Sequence, residues 1–252
     1  MARSRKSVNP RRPGVRRAGR QRGAALLLLV AVMGVGGAAL FLSAFSRSGL
    51  EARRQQRTLV ALARAEEALI GYAVQHGRLP RPAVSAADGS EAPQPCADEK
   101  ACSGFLPSVT LGVEGADAWG KLLRYSVTPE FTREPIRSGA ALATKTLQSR
   151  DANGKLFYRV GAETCDIRAQ CAPAVVFSSG RENFGTTVQG LPQANGAEGN
   201  EDEQNNEVAA KRFVQRALND EPEQPGGVFD DLVRAMDISL LYRRMNAAGK
   251  LK

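Results

Sequence analysis

The chain has 252 residues and a formal net charge of +9, from 35 Lys and Arg against 26 Asp and Glu. The excess is local: residues 1–22 hold nine of the basic residues and none of the acidic ones, so from residue 23 onward the balance is 26 to 26. A neutral body behind a basic tail is not the basic face or stripe that reads nucleic acid, and no nucleic-acid partner is expected.

The tail carries Arg3, Arg5, Lys6, Arg11, Arg12, Arg16, Arg17, Arg20 and Arg22, and it runs directly into Ala24–Phe45, 22 residues without a charge. About 20 apolar residues span a bilayer core as a helix. Positive charge on one flank keeps that flank in the cytoplasm. We therefore expect a basic cytoplasmic leader over 1–23, a single span over 24–46, and an exported remainder. A cleaved secretory signal has a shorter apolar region, about 7–15 residues, so the anchor is preferred. Gly34, Gly36, Gly37, Ala38 and Ala39 form a small-residue patch in the span, suited to packing against another membrane helix.

Apolar residues continue past the span at steps of three, four and seven: Leu50, Leu59, Leu62, Ala63, Leu69, Ile70, Ala73 and Val74. Charged residues lie between them, which predicts an amphipathic helix over 47–76 with one face on a sheet. No Pro interrupts 24–76, and Gly77 with Pro80 supplies the stop. The two segments together predict one helix of about 53 residues, about 80 Å at 1.5 Å per residue. His76 at its exit is expected to be a polar end-of-helix residue.

A globular domain is expected over 77–252. Its first part, 77–115, is a Pro-rich connecting segment that holds Cys96 and Cys102. Strands are predicted at Leu122–Val127, Lys155–Val160 and Ala174–Phe177. Ala140–Leu147 is ambiguous. Residues 185–206 read as a solvated acidic loop, Val208–Leu218 as a short helix, and Phe229–Val233 as a strand or a helix start. Ile238, Leu240, Leu241 and Met245 form a helical stripe near the C-terminus.

Cys96/Cys102 and Cys165/Cys171 share the spacing C-x5-C. Four cysteines allow three connectivities. Local pairing closes two short loops at little entropic cost, and an exported domain meets an oxidising compartment. Disulfides Cys96–Cys102 and Cys165–Cys171 are therefore expected. Zinc usually takes shorter spacings and often His, and the single His lies elsewhere.

Trp119 is expected to pack in the core, as a large aromatic in a modest domain. The run Glu198, Glu201, Asp202, Glu203 and Glu207, with Asn200, Asn205 and Asn206 interleaved, offers oxygen ligands of the kind Ca²⁺ takes. Its spacing is not that of an EF-hand, and a solvated charged loop is the expectation, with no metal. Nothing marks a nucleophile elbow or a zinc helix, so no catalytic residue and no cofactor are expected.

One very long N-terminal helix, a loop and an antiparallel sheet resemble the build of type IV pilins and type II secretion pseudopilins. Local strings follow in the same order. Arg22-Gly23 before the apolar helix resembles a prepilin cleavage site, with the cut between Gly23 and Ala24. Asp117-Ala118-Trp119-Gly120-Lys121-Leu122-Leu123-Arg124-Tyr125 resembles the D-x-W-G-x-x-x-x-Y string where the pseudopilin sheet begins, which gives Trp119, Gly120 and Tyr125 structural roles. Ala68–Ala73 with Gly77-Arg78-Leu79-Pro80, Val176–Gly180 and Phe229–Val233 resemble further strings of prepilin-like proteins. Some pseudopilins also carry a calcium loop near the C-terminus. The chain departs from the pattern at Leu28, the fifth residue after the cut, where most prepilins have a glutamate, and at Ala24, where Phe or Met is usual. The resemblance implies an α+β, pilin-like fold with the long helix packed on an antiparallel sheet and additional C-terminal helices. It also implies a minor subunit of a secretion or pilus assembly, held in the bacterial inner membrane with its domain in the periplasm. Its partners would be other pilin-like subunits, the assembly platform and a prepilin peptidase. An uncleaved, membrane-anchored periplasmic binding or scaffold protein is the alternative.

Overall fold

The computed structural model describes residues 22–139, 141–166 and 168–252, and the side chains of 22–28, 31 and 34–47 lie outside that description. Residues 1–21 of the leader, and the side chains at Ala24, Leu28 and the small-residue patch, therefore fall outside the description. Among the described residues no helix is long and apolar enough to cross a membrane; most side chains of the expected span at 24–46 lie outside the description. The chain divides into two units, Met1–Leu50 and Glu51–Lys252.

Helix α1 runs over Arg22–His76. Its end follows the sequence signal: Gly77 takes φ +70° and its N–H donates to Ala73 O at 2.8 Å. Within the second unit, Leu62, Ala65, Leu69, Ile70 and Ala73 are buried. Leu59 was expected on this face but is 42% exposed, and Leu50 is exposed as well. The buried stripe begins at Thr58, whose Oγ1 accepts from Ala118 N at 3.1 Å.

The segment after α1 is tied back to the helix by Glu91, which accepts from Tyr72 Oη at 2.7 Å and from Arg81 N at 2.9 Å and pairs with Arg78. Burial and the bond to Glu91 push the Tyr72 hydroxyl up to about 12. The chain continues through β1 (Ser103–Phe105), a single helical turn α2 (Ser108–Leu111), β2 (Arg124–Val127), β3 (Thr146–Arg150), β4 (Leu156–Val160) and β5 (Ala174–Ser178). Helix α3 (Glu201–Val208), β6 (Arg212–Val214), β7 (Leu232–Ala235) and α4 (Ile238–Ala247) complete it. The fold is α+β with several helices.

Four strands form an antiparallel sheet in the order β1-β2-β5-β7. A second, three-stranded sheet has the order β4-β3-β6, antiparallel between β3 and β4 and parallel between β3 and β6. All five residues of β5 are buried. Ala174 and Val176 join the core that holds the α1 stripe, Tyr125, Val127, Leu241 and Met245. Val175 and Phe177 face the other way, packing with Leu147 and Phe213 of the second sheet. A strand covered on both faces reads as a continuous apolar run, and Ala-Val-Val-Phe is such a run.

Both expected disulfides are present. Cys96 and Cys102 (Cα–Cα 5.2 Å) close the loop just before β1, and Cys165 and Cys171 (Cα–Cα 5.7 Å) close the connection from β4 to β5.

Two expectations are corrected. Of residues 185–206, 188–199 are the largely exposed loop expected, but α3 begins at Glu201, and Asn200, Asp202, Glu203 and Asn206 are buried. The helix expected at 208–218 is instead extended, with β6 laid parallel to β3 and Phe213 fully buried. Ala210, Phe213, Val214, Ala217 and Leu218 do keep helical spacing, and pairing with β3 overrides it.

Candidate functional site

The residues that carry chemistry converge where the turn before β2, the segment after β5, α3 and the start of β7 meet. The string Asp117–Lys121 builds the first wall. Asp117 Oδ1 accepts from the N–H groups of Trp119 and Lys121, both at 2.9 Å, and Asp117 N–H donates to Lys121 O at 2.8 Å. Such an Asx-type turn needs the short side-chain oxygen of Asp or Asn at its first position. Gly120 sits at φ +83°, where a side chain would be strained. Trp119 is half-buried against the core, and its indole N–H donates to Glu51 Oε1 at 2.8 Å. Tyr125 is fully buried and donates to Pro80 O at 3.0 Å. The structure thus gives Trp119, Gly120 and Tyr125 distinct local roles.

The turn aims Lys121 inward. Its side chain is almost wholly buried, and Nζ donates to Ser179 O at 3.2 Å and Asn183 O at 2.9 Å. Burial lowers the ammonium pKa, opposed by the attraction of Asp230, Asp117, Asp231 and Glu203. Glu203 comes from α3 and accepts from Asn183 and Asn200 side chains and from Asp230 N–H. Asp230 Oδ2 accepts from the N–H groups of Arg181 and Glu182. Asp231 is buried and accepts from Asn206 Nδ2 at 2.8 Å. Asp117 Oδ2 accepts from Ser178 Oγ at 2.6 Å.

Glu203, Asp230 and Asp231 have carboxylate oxygens within 4.8 Å of one another, the grouping among the described residues that could hold a metal ion. Of the acidic run singled out in the sequence, only Glu203 takes part. Glu198 and Glu201 are exposed. Asp202 turns to Arg150 and Arg216, and Glu207 pairs with Arg124 at 3.0 Å. The two aspartates were visible in sequence only as part of a strand-like run. An adjacent acidic pair inside an apolar stretch was the signal that something must neutralise them. His76 lies outside this cluster, exposed at the end of α1, with its ring stacked on Tyr72 at 3.9 Å.

Three carboxylates with one ammonium cannot all stay ionised cheaply. Burial, reinforced by Glu203, raises Asp230 from 3.8 to about 6, and burial raises Asp231 well above its ordinary value. A carboxyl whose folded pKa is raised stabilises the fold below its unfolded pKa and loses that contribution as pH rises through the folded value. Wild-type stability is therefore expected to fall relative to Asp230→Asn as pH rises from 3.8 to about 6. Urea midpoints of the two proteins across this interval check it; a constant difference would show that Asp230 does not titrate there.

Comparison with protein-family models, with curated proteins and with solved structures gives no match.

Proposed function

We propose that the chain is a pilin-like minor subunit with a structural role in a type II secretion or type IV pilus-like assembly. The observation that carries this reading is the single long helix α1, whose residues 62–73 form one wall of a core roofed by a four-stranded antiparallel sheet. The uncharged run 24–45, the basic leader ending at Arg22-Gly23 and the Asp117–Tyr125 string support it. On this reading the leader stays in the cytoplasm, residues 24–46 span the inner membrane, and the domain lies in the periplasm. The partners are related subunits, the assembly platform and a prepilin peptidase acting at Gly23-Ala24. The work is associative rather than catalytic.

Leu28 argues for a minor rather than a repeating subunit. It cannot neutralise the terminal amine of a neighbour in the bilayer. Leaving a basic group unpaired at mid-bilayer costs about 2.5–3.5 kcal/mol on insertion scales. Ala24, once processed, can still offer its own amine to a partner that carries an acid. Expressed alone with an export machinery, the protein is expected to remain in the membrane fraction without forming fibres. Periplasm-only reporters fused at residues 100 and 200 are expected to be active. Cytoplasmic activity of those fusions, or long filaments of this chain by itself, would refute the proposal.

A further inference from the structure

We propose that the Cys96–Cys102 disulfide is a redox-sensitive latch: it holds Glu99 against the buried Lys145 ammonium, and its reduction releases one of the ties between the two sheets. The latch stands on the geometry of the domain and does not depend on the pilin-like reading.

Lys145 lies directly before β3 and its side chain is 0% exposed. Its backbone is fixed by two bonds with Ala172: Lys145 N–H donates to Ala172 O at 3.1 Å, and Ala172 N–H donates to Lys145 O at 2.8 Å. Nζ donates to Ala210 O at 2.6 Å, just before β6, and pairs with the Glu99 carboxylate. No second carboxylate pairs with it among the described residues. Removing one partner from a buried ion pair is costly, because the other charge stays buried. Burial lowers the Lys145 ammonium from 10.5 to about 8, and the attraction and hydrogen bond of Glu99 oppose that fall; Lys211 adds to it and Glu130 resists it.

Glu99 stands inside the loop that the disulfide closes. Cys96 and Cys102 are buried at its two ends, while Ala97, Asp98, Lys100 and Ala101 between them are exposed. Glu99 O accepts from Ser103 Oγ at 2.9 Å, and its carboxylate also faces Lys211 Nζ at 4.0 Å. Ser126 of β2 completes the cluster: its Oγ lies 2.6 Å from Ser103 Oγ and donates to Ala210 O at 3.2 Å. The loop, Ser103 and Ser126 belong with the first sheet, and Lys145 and Ala210 with the second. Reduction by a dithiol breaks the S–S bond: two electrons and two protons pass to the two sulfurs, and the reductant closes a disulfide of its own. The opened loop can carry Glu99 into water, which leaves Lys145 buried with a carbonyl alone. The coupling is reciprocal: a disulfide that holds the ion pair together is itself protected by that pair. The tie is therefore complete only under oxidising conditions. Within the loop, Cys102 N–H donates to Asp98 O at 2.9 Å and Ala101 N–H to Asp98 Oδ1 at 2.8 Å. If these turn bonds alone hold Glu99 in place, the disulfide is no latch.

Thermal unfolding of the full chain tests this in two backgrounds. Oxidised Glu99→Gln keeps the shape of the side chain without its charge and is expected to melt about 5 °C or more below wild type. In a Cys96→Ser/Cys102→Ser background the same substitution is expected to cost less than half as much. An equal cost in both backgrounds overturns the proposal, and so does a Glu99→Gln protein as stable as wild type. A redox titration in dithiothreitol buffers, read by alkylation and peptide mapping, decides the matter if the double serine variant does not fold. Glu99→Gln is expected to raise the equilibrium constant for reduction of Cys96–Cys102 about tenfold and to leave that of Cys165–Cys171 unchanged. Equal shifts at both disulfides, as a general loosening of the fold would give, overturn the proposal, and so does no shift at Cys96–Cys102.

Discussion

Replacing Asp202 by Ala is expected to destabilise the domain by about 3–5 kcal/mol, the usual cost of removing one partner from a buried ion pair. Asp202 lies in the first turn of α3 and is 2% exposed. Its carboxylate takes two bonds from Arg150, from Nε and Nη2, both at 2.8 Å, and one from Arg216 Nε at 2.7 Å. Both arginines are largely buried themselves. Arg150 also donates to Gly154 O and Arg216 to Gly227 O. One carboxylate thus holds β3, α3 and the segment after β6 together. Its loss leaves two guanidinium groups with only the exposed Glu201 carboxylate, 3.8 Å from Arg150, as a nearby counter-charge. The neighbour Glu201 is a matched control. Its carboxylate is 76% exposed and reaches Arg150 only at 3.8 Å, so Glu201→Ala is expected to change stability by less than about 0.5 kcal/mol. Urea unfolding of both variants decides the matter, and equal midpoints would show that the Asp202 cluster does not hold the fold.

A second large effect is expected where α1 meets the sheet. Leu69 is 1% exposed and shares a seam with Ala174, Val176 and Met236. Truncation to Ala removes buried methyl groups and leaves a cavity between a helix and a sheet that cannot easily collapse, at a cost of about 2–5 kcal/mol. Leu59, ten residues earlier on the same helix, is 42% exposed. The same truncation there is expected to fall within about 0.5 kcal/mol of wild type. A comparable loss at both positions would mean that α1 rests on the domain through a different face from the one containing Leu62, Leu69 and Ala73.

What could be read from the sequence follows from how local each signal is. α1 is legible because its periodicity and its stop at Gly77 lie within the helix. β5 is legible because burial on both faces writes an unbroken apolar run. The disulfides follow from short loops, and α4 from its Leu241 and Met245 stripe with Asp237 as its cap. The segment 200–218 was misread because its structure is set from far away. Glu201, Asp202 and Glu203 suit a helix start electrostatically, yet their composition alone describes a solvated loop. The burial of Asp202 and Glu203 depends on Arg150, Arg216 and Asn183, none of which is adjacent in sequence. β6 is three residues long, too short to show a period, and only its parallel partner β3 defines it. The candidate site shares this difficulty. Lys121 was visible within the Asp117–Tyr125 string and Asp230-Asp231 within a strand-like run, but nothing local joins them. Leu59 marks the opposite failure: it obeys the helical spacing and still faces solvent, while its neighbour Thr58 is the residue buried against the domain.

The central claim is that this chain is processed and assembled as a pilin-like subunit, and it turns on one bond. The mass of the N-terminal peptide should be measured on protein recovered from cells with an active prepilin peptidase. The account predicts a chain that begins at Ala24, with residues 1–23 removed. A chain that still begins at Met1 in those cells would contradict it and leave a permanently anchored periplasmic domain in its place.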